Sequence, residues 1–143
     1  MADWTSSVRS YLRQTLVTVT NLPAVAYEGR AFTPTIGVPW VREQLLPMQA
    51  PIETWGAQGL VREDFSYRLT VYSPTPGGKL SDHEDMVDAI RAKFFPGQVI
   101  RDLGSTIFGT VTEARRSQSI IEPDWIGTAV SIYAYFHRAT RAA

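Results

Sequence analysis

Apolar residues recur at three- and four-residue steps at Trp4, Val8, Tyr11, Leu12, Leu16 and Val19, which predicts one stripe of an amphipathic helix from about residue 3 to 20. Asn21, Leu22 and Pro23 end it, because the residue before a proline is pushed out of the helical region. Ala24 to Tyr27 can form a short strand that turns at Glu28 and Gly29. Val38 to Leu46 predicts a second strand, with Pro39 near its start and charged interruptions at Arg42 and Glu43. From Arg62 to Tyr72 the alternation is clean: Phe65, Tyr67, Leu69 and Val71 point one way, Asp64, Ser66, Arg68 and Thr70 the other.

Ser73 to Gly78 reads as a turn, and Ser81 with Glu84 three residues on reads as a capping box opening a second helix. Met86, Val87, Ile90 and Phe94 form its apolar stripe, and Pro96 with Gly97 stops it near residue 95. Period two then returns at Val99 to Arg101 and Ile107 to Glu113. A polar connection follows around Arg115 to Gln118, then a long last strand from about Trp125 to His137, with Ile126, Val130, Ile132 and Phe136 on one face.

This order predicts an α+β fold in which two helices pack on one face of a largely antiparallel, twisted β-sheet. At 143 residues the chain has the size of one domain, taken as 1–143. The stretch from Pro47 to Gly59, with Pro47, Pro51, Gly56 and Gly59, is too irregular for a helix, and loops of that length are usually functional. It is the expected projecting loop.

Fourteen basic and fourteen acidic side chains cancel, so no global positive field drives sequence-independent phosphate binding, and specific nucleic-acid binding is not expected. The chain has no cysteine, which removes disulfides, thiolate nucleophiles and cysteine metal ligands. Asp3, Arg9 and Arg13 interrupt the N-terminal apolar residues, so neither a secretory leader nor a membrane span is expected there. A neutral net charge favours self-association.

The residues that could carry chemistry do not converge. His83 and His137 are the only histidines and neither has ligands at zinc spacing. Asp82, Glu84, Asp85 and Asp88 cluster where a helix begins, which its dipole favours. Gly56 and Gly59 precede a strand, whereas a phosphate-binding loop delivers its ligand to a helix. Gly77-Gly78-Lys79 lacks the remaining glycine spacing and the hydroxyl. No catalytic residue, metal or cofactor is therefore expected. An exposed Trp55 in the glycine-flanked loop would suit an interface anchor. The adjacent pair Arg115 and Arg116 would sit in a solvated hairpin connection. A ligand-binding cleft between the second helix and the sheet is the alternative from another class, and it would need convergent polar groups.

Tyr27-Glu28-Gly29 with Phe32, Pro39-Trp40-Val41-Arg42, Pro47, Gly56, Gly59, Arg62 and Val71-Tyr72-Ser73-Pro74 with Gly77 form a pattern. It resembles the tail terminator or tail completion proteins of long-tailed bacteriophages and prophages, over most of residues 1 to 95. It departs from that family at Glu28, where proline is frequent, and at Phe65, where a glycine stands there or beside it. The resemblance implies a non-enzymatic structural virion protein that needs no cofactor. It would form a homo-oligomeric ring, typically a hexamer, that caps the tail tube, ends its polymerisation and meets the head connector. Its place would be the head-proximal end of the tail, after assembly in the host cytoplasm, away from any membrane. On that reading Trp55, Gln58, Arg62, Arg115 and Arg116 are the expected contacts with a neighbouring subunit, the tube or the connector. A head-tail joining protein, or the equivalent subunit of a gene transfer agent or tail-derived machine, is the neighbouring alternative.

Overall fold

The structure is a computed structural model, and it describes residues 4–47, 60–75, 80–101 and 107–139. The chain runs α1 (Trp4–Leu16), β1 (Ala24–Ala26), β2 (Trp40–Pro47), β3 (Leu60–Pro74), α2 (Leu80–Lys93), β4 (Val99–Arg101), β5 (Ile107–Arg116), β6 (Ile120–Ile121) and β7 (Trp125–Ala139). Seven strands form a single sheet in the order β1-β2-β3-β7-β5-β4, with β6 folded onto β7. Among the described residues only β1 and β2 are parallel.

The expected α+β layering of two helices on one face of a twisted sheet is corrected here. The protein is mostly β, and its described residues form a curled half-barrel of seven strands with only two short helices. Strand residues outnumber helical ones by about two to one. The reason lies in strand length: β3 and β7 are 15 residues each and pair along their whole length, against helices of 13 and 14. Fully paired strands of that length twist and coil, and a coiling sheet encloses much of its own core. The helices add Val8, Leu12 and Leu16, then Val87 and Ile90, to a cluster supplied mainly by the strands.

Element boundaries moved for local reasons. α1 ends at Leu16 instead of near residue 20, because Val17-Thr18-Val19-Thr20 is β-branched and stiff at χ1. Two tighter bonds follow the helix, Thr18 N–H to Thr15 O (3.2 Å) and Val19 N–H to Leu16 O (3.0 Å), and Asn21 takes a positive φ of 58°. Ser81 lies inside α2 and does not cap it. Arg115 and Arg116 end β5 and do not lie in the connection, which begins at Ser117.

The alternation read from β3 holds. Phe65, Tyr67, Leu69 and Val71 are buried, as are Val130, Ile132, Ala134 and Phe136 on β7. β7 approaches β5 closely at Gly109, where a Cβ would lie 2.5 Å from the Tyr135 carbonyl oxygen. Glycine is required there for the backbones to pair.

Candidate functional site

The period of two that buries one side of the sheet presents the other side outward. The register sets Trp40 against Tyr72, Thr70 against Arg42 and Arg68 against Gln44 between β2 and β3. Across β7 it sets Tyr72 against Gly127, Arg68 against Ser131 and Asp64 against Tyr135. These residues are partly or fully exposed, and together they make an open face across β2, β3, β7 and β5.

One end of that face is aromatic. The Trp40 ring stacks on Tyr72 (centroids 4.4 Å apart) and on Phe32 (5.4 Å), and Trp125 meets it edge-on at 6.3 Å. Gly127 leaves room for the stack, since a Cβ there would lie 3.1 Å from the Tyr72 ring. Beside it a groove of about 260 Å³ is lined by Arg42, Arg68, Tyr72, Ile120 and Trp125. The other end carries two arginines over two tyrosines: Arg62 4.4 Å from the Tyr135 ring and Arg115 5.6 Å from the Tyr133 ring. Each is also ion-paired on its own strand, Arg62 with Asp64 at 2.7 Å and Arg115 with Glu113 at 2.9 Å.

Of the five expected contact residues, Trp55 and Gln58 lie outside the described residues. Arg62 and Arg115 come together on the open face, 53 positions apart in sequence but on tyrosines two residues apart on β7. Arg116 turns to the opposite side, 4.0 Å from Asp88 of α2 and 3.4 Å from the Ser119 hydroxyl.

Beneath the face lies a buried charged network that the hydrophobic pattern did not disclose. Arg13 of α1 forks onto Glu43 of β2, its Nε 2.9 Å from Oε2 and its Nη2 2.6 Å from Oε1. The Tyr67 hydroxyl and the Glu28 amide donate to the same carboxylate, whose side chain is fully buried. Glu28 in turn holds Arg9 at 2.6 Å and accepts from the Leu45 amide at 3.3 Å. Burial alone would push the Glu43 carboxyl up. The Arg13 fork, the Tyr67 hydroxyl and the Glu28 amide outweigh it and hold the group below the usual carboxylate range. Burial and the neighbouring Glu43 charge raise the Tyr67 phenol, so it stays a donor. The signal in the sequence was parity: Glu43 alternates with Val41 and Leu45, and a charge at an inward position requires a partner.

His83 is the second buried polar centre, 2 % exposed on the inward side of α2. Its Nδ1 lies 2.6 Å from the Ser73 hydroxyl and its Nε2 2.8 Å from that of Thr128, which meets Ser119 at 2.8 Å. A Ser-His contact invites a nucleophile reading, but that chemistry needs a third group orienting the base. Here both ring nitrogens face hydroxyls, and the chain of contacts ties α2 to β3, β7 and the β6 turn. Burial, and then the Arg116 charge, lower the His83 pKa below the ordinary imidazole value. The unfolded chain therefore takes up a proton at a pH where the folded one does not. Stability is expected to be flat above about pH 6.5 and to fall as pH drops below it towards the depressed folded value. Urea titrations between pH 7.5 and 5 check this, because His83→Gln should flatten that limb. An unchanged slope in the variant would remove His83 as its source. Among the described residues no group of three or more His, Cys, Asp or Glu side chains could hold a metal ion.

The family described as phage tail terminator protein matches residues 5–133. No curated protein sequence matches this chain. One solved structure is similar at TM-score 0.65 and 18% identity, covering 97% of this chain and 96% of its own. Another, a chain from the virion of a native gene transfer agent particle, is similar at TM-score 0.59 and 13% identity, covering 94% of this chain and 97% of its own. At such identities the likeness is one of fold.

Proposed function

The chain belongs to the phage tail terminator protein family and is a phage tail structural protein, and from that premise we propose that it forms a closed homohexameric ring that caps the head-proximal end of the tail tube. The ring ends tube polymerisation and offers its other side to the head connector, with no catalytic role. The single observation that carries this reading is the family match over residues 5–133, which spans both helices and most of the sheet. The open face fits a subunit that must bury surface elsewhere, with its exposed arginines and aromatic end, as does the neutral net charge. A ring needs a heterologous contact that closes, one patch meeting a different patch on the next copy.

Trp55 and Gln58, with Arg62 at the start of β3, are the proposed contacts with a neighbouring subunit or the tube, and Arg115 and Arg116 at the end of β5 those with the tube or connector. Trp55→Ala is expected to leave the ring intact by light scattering and to lengthen tubes assembled with the tail tube protein, as counted by electron microscopy. Tubes of natural length in the variant would remove Trp55 from the capping surface. The likeness to a gene transfer agent chain favours one second reading, the equivalent subunit of such a tail-derived particle. Labelling the head-tail junction distinguishes a terminator, which sits on tubes made without heads, from a neck protein, which does not.

A further inference from the structure

Two unmatched charge patches lie on opposite sides of the sheet. On the open face Arg42 and Arg68 are exposed and neither forms an ion pair among the described residues, although Glu122 lines the same groove. On α2, Asp82 and Asp85 are exposed and Glu84 is half-buried, and among the described residues none of the three pairs with a cation. A helix dipole accounts for an acid in the first turn, which is Asp82, but not for Asp85 in the second. The buried stripe of α2 (His83, Val87, Ile90) and the Phe94 ring that follows it, 6.1 Å from Tyr67, face the inward side. Its acids therefore point away from the sheet on the side opposite Arg42 and Arg68.

We propose that the acidic face of α2 in one copy docks on the Arg42–Arg68 face of the next copy, and this rests on the ring reading above. Opposite placement decides the geometry. The patches cannot meet within one copy, and a twofold dimer cannot bring a patch on the front of each subunit onto a patch on the back of the other twice over. Only a head-to-tail contact satisfies both, and such a contact closes a ring when the turn from one copy to the next divides a full circle. Charge complementarity selects a second copy as the occupant, since the same chain presents exposed Arg42 and Arg68 on one side and exposed Asp82 and Asp85 on the other. Leu80, exposed in the first turn of α2, and Ile120, exposed beside the arginines, add an apolar contact.

Charge reversal tests this, read by sedimentation and by cross-linking. Arg42→Glu with Arg68→Glu, and separately Asp82→Arg with Asp85→Arg, should each weaken self-association by at least about tenfold, because like charges then meet. Mixed one to one, the two variants should assemble again as alternating rings. In a chain without cysteine, Arg68→Cys mixed with Asp85→Cys should form a disulfide-linked heterodimer on oxidation, with little homodimer from either alone. Variants that assemble as the natural chain does, or a mixture no better than its parts, would overturn this pairing and leave the ring standing. Natural assembly with loss only of tube binding in the arginine variant would assign the face to the tube and also overturn it. A natural chain that stays monomeric at millimolar concentration and yields no heterodimer would sink both the pairing and the ring.

Discussion

Arg13→Ala is expected to destabilise the protein by about 3–5 kcal/mol near neutral pH, the cost of leaving a buried charge without its partner. Glu43 has a fully buried side chain, and Arg13 supplies three of the contacts that keep it ionised. Without the guanidinium, the Tyr67 hydroxyl and the Glu28 amide remain, too few for a carboxylate out of water. For a domain of this size the loss corresponds to a melting temperature lower by about 10 °C.

The pH dependence gives the mechanism away. In the natural chain Glu43 is held below the usual carboxylate value, so its contribution is present above that value and is lost as pH falls through the folded one. In Arg13→Ala the burial that now dominates raises the carboxyl, reversing the sign: the folded state prefers the proton, and the penalty grows as pH rises through the raised value. Urea unfolding at pH 7.5 and pH 5 should therefore show a smaller penalty at the lower pH. Adding Glu43→Gln should recover part of the stability at pH 7.5. A loss below about 1 kcal/mol at both pH values, the range of an exposed pair, would mean that the fork is a surface contact.

That network also marks where the chain can and cannot be read. The core stripes were legible: Val8, Leu12 and Leu16 on α1, Phe65, Tyr67, Leu69 and Val71 on β3, and Val130, Ile132 and Phe136 on β7 are all at or near zero exposure. Arg13 and Glu43 looked like interruptions because hydrophobic patterning sends charges to the surface, and their partnership spans 30 residues. Only the placement of α1 against β2 brings them together. The family resemblance was legible in turn and anchor residues, and the match over residues 5–133 bears it out. The fold class was not, since local periodicity identifies strands and helices but not that β3 and β7 pair over 15 residues and curl the sheet. The open face needed the register as well: the sequence singles out Arg62 and Arg115 but not that β7 tyrosines bring them onto one face, and the Trp40–Tyr72 stack depends on a cross-strand pairing that the sequence does not specify.

Phe136→Ala is expected to cost about 3–5 kcal/mol, through lost burial and the cavity left behind. Phe136 is 1 % exposed, and its ring lies 6.1 Å from that of Phe65 in a tilted contact. Across the ladder it faces Gly109, which has no side chain to move into the gap and must stay glycine for the strands to approach. On its other side its direct partner is Glu63, and the Phe65 ring beside it is itself fixed in the core. Collapse would require β5 to shift against β7, at the expense of the backbone bonds that close the half-barrel. Phe136→Leu keeps most of the volume and should cost less than about 1.5 kcal/mol. A double-mutant cycle with Phe65→Ala should return a coupling of about 0.5–1.5 kcal/mol, the worth of an aromatic pair beyond its buried area. A Phe136→Ala loss no larger than that of Phe136→Leu would show that the sheet does close over the cavity, and that its curl is softer than the pairing at Gly109 implies.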